Sequence, residues 1–409
     1  MPATDFLSLR QASLDRRFMA DALALGRRHL GLTWPNPSVG ALVVAPGPEG
    51  LILGRGMTQS GGRPHGEPVA LAAAGAAARG ATLYVTLEPC SHWGRTPPCA
   101  DAIIAAGIAR VVSALEDPDP RVAGTGHARL RAAGIDVTTG LLAAEAERAH
   151  RGHILRVREG RPAITVKLAM TADGFAGVAG ERLRITGPVA NGHVHLMRAH
   201  ADAIMVGVGT VLADDPALTV RLPGMEAYSP VRVVIDTMLR TPPGAVVAET
   251  AGLYPTWIIA GRDAPVAAER ALVARGVEVM RLGSTGTVDL HAAMRLLATR
   301  GVTRVFCEGG PRLADALAAA GLVDELVTVS GPRPLRALSA RPGIPALGPH
   351  LAGLARGGIV KTVATWDAPA RDASDCDDDR AAGHTAGMAG GAVDRFTILE
   401  RPSSCLPES

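Results

Sequence analysis

Three potential metal ligands and the places where they fall constrain the fold of this 409-residue chain more than any other feature. His65 closes a Gly-rich loop, Ser60-Gly-Gly-Arg-Pro64, and precedes Val69 to Arg79, an Ala- and Leu-rich stretch of helical composition. Pro89-Cys90 follows Ala81-Thr-Leu-Tyr-Val-Thr-Leu87, a β-rich apolar run that reads as a strand. Cys99 opens a second helical stretch that runs to Ala106. The ligands therefore fall at helix N-termini, where exposed N–H groups and the helix dipole stabilise thiolate and hydroxide. One neutral imidazole and two thiolates make a three-ligand zinc site with the fourth position left for water, whose pKa zinc lowers toward neutrality. Glu67, two residues beyond the histidine, is close enough to handle protons without binding metal.

The rest of the chain alternates between strand-like and helix-like segments. In the first half, helix Asp15 to Leu30 is followed by short apolar runs at Val39 to Ala45 and Leu51 to Gly54. After the ligand-bearing segments come strand Arg110 to Leu115, helix Gly126 to Ala133, strand Ile135 to Thr139 and helix Leu142 to Gly152. Such alternation implies an α/β sheet covered by helices on both faces. Charge gathers between Arg151 and Pro162, where the domain junction is expected, giving domains at 1–150 and 161–402. The second half again alternates, from strand Ala163 to Met170 to strand Glu325 to Val329. Beyond it, Asp367 to Gly391 reads as a poorly packed Asp-rich insertion and Phe396 to Leu399 as a closing edge strand.

A hydrophobic fraction of 47% allows two ordinary cores. The net charge is only +3 and the basic residues are dispersed, which argues against a nucleic-acid surface and suits a small anionic substrate. No stretch approaches the ~20 apolar residues of a membrane span, and Met1 to Arg17 holds no apolar signal core, so a cytoplasmic protein without membrane contact is expected. Five cysteines in a chain this long do not make a disulfide framework.

His-x-Glu with Pro-Cys…Cys is the constellation of zinc deaminases, which exchange an exocyclic ring amine for oxygen. The usual two residues between the cysteines are here eight, Ser91 to Pro98. Pro89-Cys-Ser-His-Trp-Gly-Arg-Thr-Pro-Pro-Cys99 and Pro35-Asn-Pro-Ser-Val-Gly40 resemble the deaminase signatures of the bifunctional riboflavin biosynthesis family, a pyrimidine deaminase fused to a reductase. Lys167-Leu-Ala-Met-Thr-Ala-Asp-Gly174, Val211-Leu-Ala-Asp-Asp-Pro-Ala-Leu-Thr-Val-Arg221 and Glu308-Gly-Gly-Pro311 resemble its reductase. The resemblance implies a cytidine-deaminase-like three-layer α/β/α domain followed by a dihydrofolate-reductase-like α/β domain. It implies zinc at His65, Cys90 and Cys99, and Glu67 as the proton shuttle. Asn36 would hydrogen-bond the pyrimidine, although an Asn between prolines is also ordinary turn chemistry. Arg95 and Thr96 would hold the ribose phosphate. Gly66 stands where the family usually has alanine.

No Gly-x-Gly-x-x-Gly follows a strand in the second half, so a Rossmann reading has no support. The resemblance instead places NADPH against Ala169, Thr210, Asp214, Thr237 and the segment Gly310, Pro311, Arg312, Leu313, Ala314, Asp315, Ala316. Substrate contacts would come from Arg198, Leu218, Arg221 and Glu308; two arginines suit a 5′-phosphate through bidentate bonds. The family's Ser-x-Trp-Ile-Thr is here Arg182-Leu-Arg184-Ile-Thr186, which sets Arg182 at the substrate and Arg184 at a cofactor phosphate. The implied reactions deaminate a ribosylaminopyrimidinone 5′-phosphate and then reduce its ribosyl group, in a homo-oligomer. Two other classes share the zinc chemistry or the zinc site. A nucleoside or tRNA deaminase with an accessory nucleotide-binding domain should show two-residue cysteine spacing and, for tRNA, a concentrated basic face. A non-catalytic zinc-stabilised protein has no use for Glu67, and a structural zinc needs a fourth protein ligand, for which His92 is the candidate nearby.

Overall fold

The computed structural model describes residues 3–47, 50–94, 96–178, 181, 183–283, 286–367 and 393–401. Arg95, Arg182 and, beyond Asp367, the Asp-rich segment lie outside the described residues. The chain divides into two compact units. One is Met1–Ala163 with His200–Asp202 and Met294–Arg304; the other is Ile164–Ala199, Ala203–Ala293 and Val305–Ser409.

In the first unit α1 (Ala3–Arg27), β1 (Gly40–Val44), β2 (Ile52–Met57), α2 (Gly66–Ala74), β3 (Thr82–Val85), α3 (Cys99–Ala105), β4 (Arg110–Ser113), α4 (Thr125–Ala132), β5 (Asp136–Thr139) and α5 (Ala143–Glu159) follow one another. The sheet runs β2-β1-β3-β4-β5, with β1 antiparallel to its neighbours and β3, β4 and β5 parallel. Successive strand residues face opposite sides. Ala41 and Val43 of β1 accordingly share a core with Ala70 of α2, Ile103 of α3 and Leu130 of α4. Leu42 and Val44 share another with Phe18 and Met19 of α1 and Ala146 of α5. Both faces are covered, giving the three expected layers. Asp15 fastens α1 to the sheet, accepting from Tyr84 Oη at 2.6 Å and from both terminal nitrogens of Arg110 at 2.9 and 2.7 Å.

Two glycines set how closely the layers approach. A Cβ on Gly56 of β2 would lie 2.0 Å from the Gly66 carbonyl oxygen, and one on Gly126 of α4 would lie 2.0 Å from that of Pro89. Bare backbone at these positions lets α2 and α4 press onto the sheet beside His65 and Cys90. The charged stretch expected as a junction is the end of α5, which runs to Glu159 and stops at Gly160 with φ +66°. Its charges belong to an amphipathic helix whose His150, Gly152 and Leu155 are buried.

The elements that follow are β6 (Ala163–Met170), β7 (Phe175–Val178), α6 (Pro188–Ala199), β8 (Ala203–Gly207), α7 (Val208–Asp214), β9 (Val231–Ile235), α8 (Val246–Glu249), β10 (Thr256–Gly261), α9 (Val266–Val273), β11 (Glu278–Leu282), α10 (Leu290–Thr299), β12 (Arg304–Cys307), α11 (Pro311–Ala319), β13 (Glu325–Ser330), β14 (Gly343–Pro345), α12 (Pro349–Gly357), β15 (Ile359–Asp367) and β16 (Val393–Glu400). Nine of them form a sheet in the order β11-β10-β9-β8-β12-β6-β13-β16-β15. Phe396 to Leu399 is therefore not an edge. It lies in β16, paired antiparallel with β13 on one side and β15 on the other. Among the described residues no helix is long and apolar enough to cross a membrane.

Candidate functional site

The first unit brings its predicted ligands together. His65 is the N-cap of α2, Cys90 lies in the loop after β3, and Cys99 is the first residue of α3. His65 Nδ1 is 3.8 Å from Cys90 Sγ and 3.3 Å from Cys99 Sγ, and the three ligand atoms all lie within 4.8 Å of one another. A tetrahedral zinc with ordinary Zn–N and Zn–S bonds sets its nitrogen and sulfur ligands ~3.6 Å apart, so the two measured separations bracket the value the ion needs. The Cys99 amide, at the start of α3, donates to Cys90 Sγ at 3.3 Å. The Cys90 thiol is pushed down to about 4, first by the neighbouring Cys99 side chain and then, against burial, by His65 and the Cys99 amide. The Cys99 thiol is pushed up, first by the neighbouring Cys90 side chain and then by burial. The hydrogen bond with Cys90 raises His65 against its burial.

Glu67 stands in the first turn of α2 and is 3% exposed. Its Oε2 is buried and has no hydrogen-bond partner among the described residues. Burial, opposed by His65, pushes its carboxyl above the usual range. The structure also shows how Gly66 is accommodated. A Cβ there would lie 2.7 Å from the Val39 carbonyl oxygen, so the start of α2 sits closer to β1 than an alanine allows.

These groups open into a cavity of about 520 Å³ whose walls include Asn36, Arg63, Asp117, Arg121 and His153. Asn36 is in that wall, and its Nδ2 donates to the Gly62 carbonyl at 2.8 Å. Thr96 is exposed, and its Oγ1 accepts from Arg63 at 2.5 Å. Arg63 carries no mark in the sequence beyond its place in the Gly-rich loop before His65. Glu88 carries none either. Both Glu88 oxygens are filled by backbone N–H groups, from Asp117, Gly124, Gly126 and His127 at 2.8 to 3.1 Å, which ties the loop bearing Asp117 and Arg121 to the strand end before Cys90. Glu88, Glu116 and His127 also lie within metal-ligand reach of one another, but a carboxylate saturated by four N–H donors has no lone pair left for a cation.

In the second unit the positions expected at a cofactor gather where four neighbouring strands end. Ala169 is near the end of β6, Thr210 follows β8 in α7, Thr237 follows β9, and Gly310 follows β12 as the N-cap of α11. The Gly310 amide donates to Thr210 Oγ1 at 3.2 Å, joining two of these loops. A Cβ on Gly209 would meet nothing within 4 Å, and one on Gly310 only Thr210 Oγ1 at 3.8 Å, so both helix starts have room in front of them. A sheet whose strands end beside helix N-termini is where α/β folds bind phosphorylated ligands. Within Gly310 to Ala316, Ala314 is fully buried and Asp315 caps α12, accepting from the amides of His350 and Leu351 at 2.9 and 3.0 Å. Pro311, Arg312, Leu313 and Ala316 lie on the first two turns of α11, Asp214 ends α7, and Arg184 is exposed ahead of α6.

Arg198 and Glu308 meet directly. The guanidinium makes two hydrogen bonds to the carboxylate, one of them from Nη2 to Oε2 at 3.0 Å, and a third from Nη1 to the Thr219 carbonyl at 2.9 Å. Lys167 Nζ stands 3.8 Å from the same carboxylate, and all three side chains are at most 15% exposed. The sequence assigns Lys167 no role; its only mark there is a lysine in the middle of an otherwise apolar strand. Burial alone would push Glu308 up, but Arg198 and then Lys167 hold it below the usual carboxylate range. Leu218 is buried with φ +55°, a strained conformation for leucine. The chain just after it is held twice, by Arg198 at the Thr219 carbonyl and by His195 Nδ1, which accepts from the Arg221 amide at 3.1 Å.

Residues 12–115 match the family described as the cytidine and deoxycytidylate deaminase zinc-binding region, and residues 162–347 match the RibD C-terminal domain. The riboflavin biosynthesis protein RibD of Escherichia coli is 42% identical over 353 residues, covering 81% of this chain and 93% of that protein. RibD of Aquifex aeolicus is 40% identical over 321 residues, covering 78% and 87%. The structure of Acinetobacter baumannii RibD superposes with a TM-score of 0.75 at 29% identity, over 95% of this chain and 99% of that one. A Thermotoga maritima structure named as a diaminohydroxyphosphoribosylaminopyrimidine deaminase/5-amino-6-(5-phosphoribosylamino)uracil reductase gives the same TM-score at 27% identity. With a zinc-binding deaminase region in one half and a RibD reductase domain in the other, the chain belongs to the RibD family of bifunctional deaminase–reductases of riboflavin biosynthesis.

Proposed function

We propose that residues 1–150 hydrolytically deaminate 2,5-diamino-6-ribosylamino-4(3H)-pyrimidinone 5′-phosphate. Residues 161–402 then reduce the ribosyl group with NADPH, giving 5-amino-6-ribitylaminouracil 5′-phosphate. The observation that carries the first half is the convergence of His65, Cys90 and Cys99 beside a buried, unpartnered Glu67 oxygen.

His65, Cys90 and Cys99 would hold the zinc. When bound, it supplies Lewis-acid polarisation of a water molecule. Glu67 holds and moves the proton. Its Oε2 takes one proton from the attacking water and passes it to the ring, then takes the remaining proton from the newly added hydroxyl and gives it to the amine, which leaves as ammonia while the ring carbonyl forms. Asn36, already oriented by Gly62, would contact the pyrimidine, and Arg63, in the same cavity wall, would hold the phosphate together with Arg95 and Thr96.

In the second half NADPH supplies hydride. The start of α11 at Gly310, with Thr210, Asp214, Thr237, Ala169 and Arg184, would bind and orient the dinucleotide. Arg198, Leu218, Arg221, Arg182 and Glu308 would position the sugar phosphate and exclude water from the reacting carbon. The buried Arg198–Glu308 pair supports this reading by fixing two of those side chains against each other.

Metal removal separates the halves. Protein dialysed against a chelator should lose deamination and recover it when about one zinc per chain is restored, as read by ammonia release beside metal analysis. Reduction of already deaminated substrate should stay unchanged throughout. Deamination persisting in metal-free protein would refute the zinc assignment.

A further inference from the structure

His153 lies on α5, one helical turn before Val157, and both line the cavity that contains His65, Glu67 and Asn36. No step described above uses it. Its Nδ1 is buried and has no hydrogen-bond partner among the described residues. Buried polar nitrogens are rarely left unpaired, because each has given up its water without replacement. The neighbouring buried histidine shows the ordinary outcome: His150 Nε2 is satisfied by Thr86 Oγ1 at 3.1 Å. His153 differs in standing in the wall of a cavity large enough for a substrate.

The chemistry of the ring narrows what it meets. Burial above all, with Arg156 adding to it and Asp119 opposing it, pushes His153 down to about 4. Near neutral pH the ring is uncharged and offers one donor and one acceptor. A phosphate is better matched by the Arg63 and Arg121 guanidinium groups of the same wall. An uncharged imidazole suits an uncharged partner, a sugar hydroxyl or a ring N–H or C=O.

We propose that His153 is a specificity-determining residue of the deaminase pocket, its imidazole hydrogen-bonding an uncharged polar group of the bound ribosylaminopyrimidine phosphate. The proposal rests on reading this cavity as the deaminase site. It assigns His153 to binding rather than to proton transfer.

The test uses the zinc-loaded full chain carrying His153→Phe, which keeps a planar ring and removes both nitrogens, or His153→Asn, whose amide reaches about as far as Nδ1. Deamination is followed by ammonia release, and reduction of the already deaminated substrate serves as an internal control. His153→Phe should raise the deaminase KM roughly tenfold, the size of one lost hydrogen bond, with kcat within about twofold. His153→Asn should recover most of that loss, and the reductase rate should not move. A KM unchanged in His153→Phe would overturn the proposal, since the nitrogen would then be served by water. A fall in kcat alone, or a parallel loss of reduction, would overturn it as well, by showing a structural role. Glu67→Gln run alongside keeps the two readings apart: if that variant still deaminates, the site assignment fails whatever His153 does.

Discussion

Glu67→Gln is expected to lower deamination by about 10²- to 10⁴-fold, the usual worth of a positioned general acid–base group. Glutamine keeps the shape of the side chain and its place in the first turn of α2 but takes up no proton. His65, Cys90 and Cys99 are untouched, so zinc content should match the parent protein. Reduction of already deaminated substrate should also be unaffected, because Lys167, Arg198 and Glu308 belong to the other compact unit. Ammonia release, zinc content and NADPH oxidation check the three statements. Deamination above a tenth of the parent rate would mean that Glu67 fills a buried position and does no proton transfer.

Glu308→Ala should do comparable damage to the other half. Glu308 is the common partner of Arg198 and Lys167. Removing one member of a buried ion pair leaves an uncompensated charge and typically costs about 3–5 kcal/mol. The second unit should unfold at markedly lower urea, and reduction should be lost while deamination continues. The pair also predicts a pH dependence. Glu308 is held below its usual range in the folded chain. Its contribution is therefore present above the unfolded-state value of about 4.3 and is lost as pH falls through the lower folded value. Glu308→Ala should flatten this acid limb. Urea unfolding at several pH values, read against the two activities, decides the matter; an unchanged midpoint would show the triad to be energetically neutral.

The site was more legible in the sequence than the connections around it. His65 and Cys99 could be placed because a metal ligand at a helix start is marked twice, by residue type and by the change from loop or strand to helix. Strands such as Val231–Ile235 and Arg304–Cys307 were readable to the residue because their apolar runs end abruptly in polar or turn residues. The charge from Arg151 to Arg161 was ambiguous: most of it lies on α5, and the division between the two compact units falls just beyond it, at Ala163 and Ile164. A solvated helix face and a linker have the same composition, and only the burial of His150 and Leu155 on the other face of α5 separates them. β15 was missed because it follows a Pro- and Gly-dense stretch, and without it β16 looked like an edge. Lys167, Glu88 and His153 are of a third kind. Each owes its interest to what lies beside it in space, a buried carboxylate, four amides or a cavity, and none of these neighbours is close in sequence.

The most direct measurement is mass spectrometry of the product formed from the diaminopyrimidinone ribosyl phosphate by zinc-loaded protein with NADPH. The account predicts one product that has exchanged an amine for oxygen and gained two hydrogens. Unchanged substrate would contradict the account, and a product that gained hydrogens while keeping both amines would contradict the order of the two reactions.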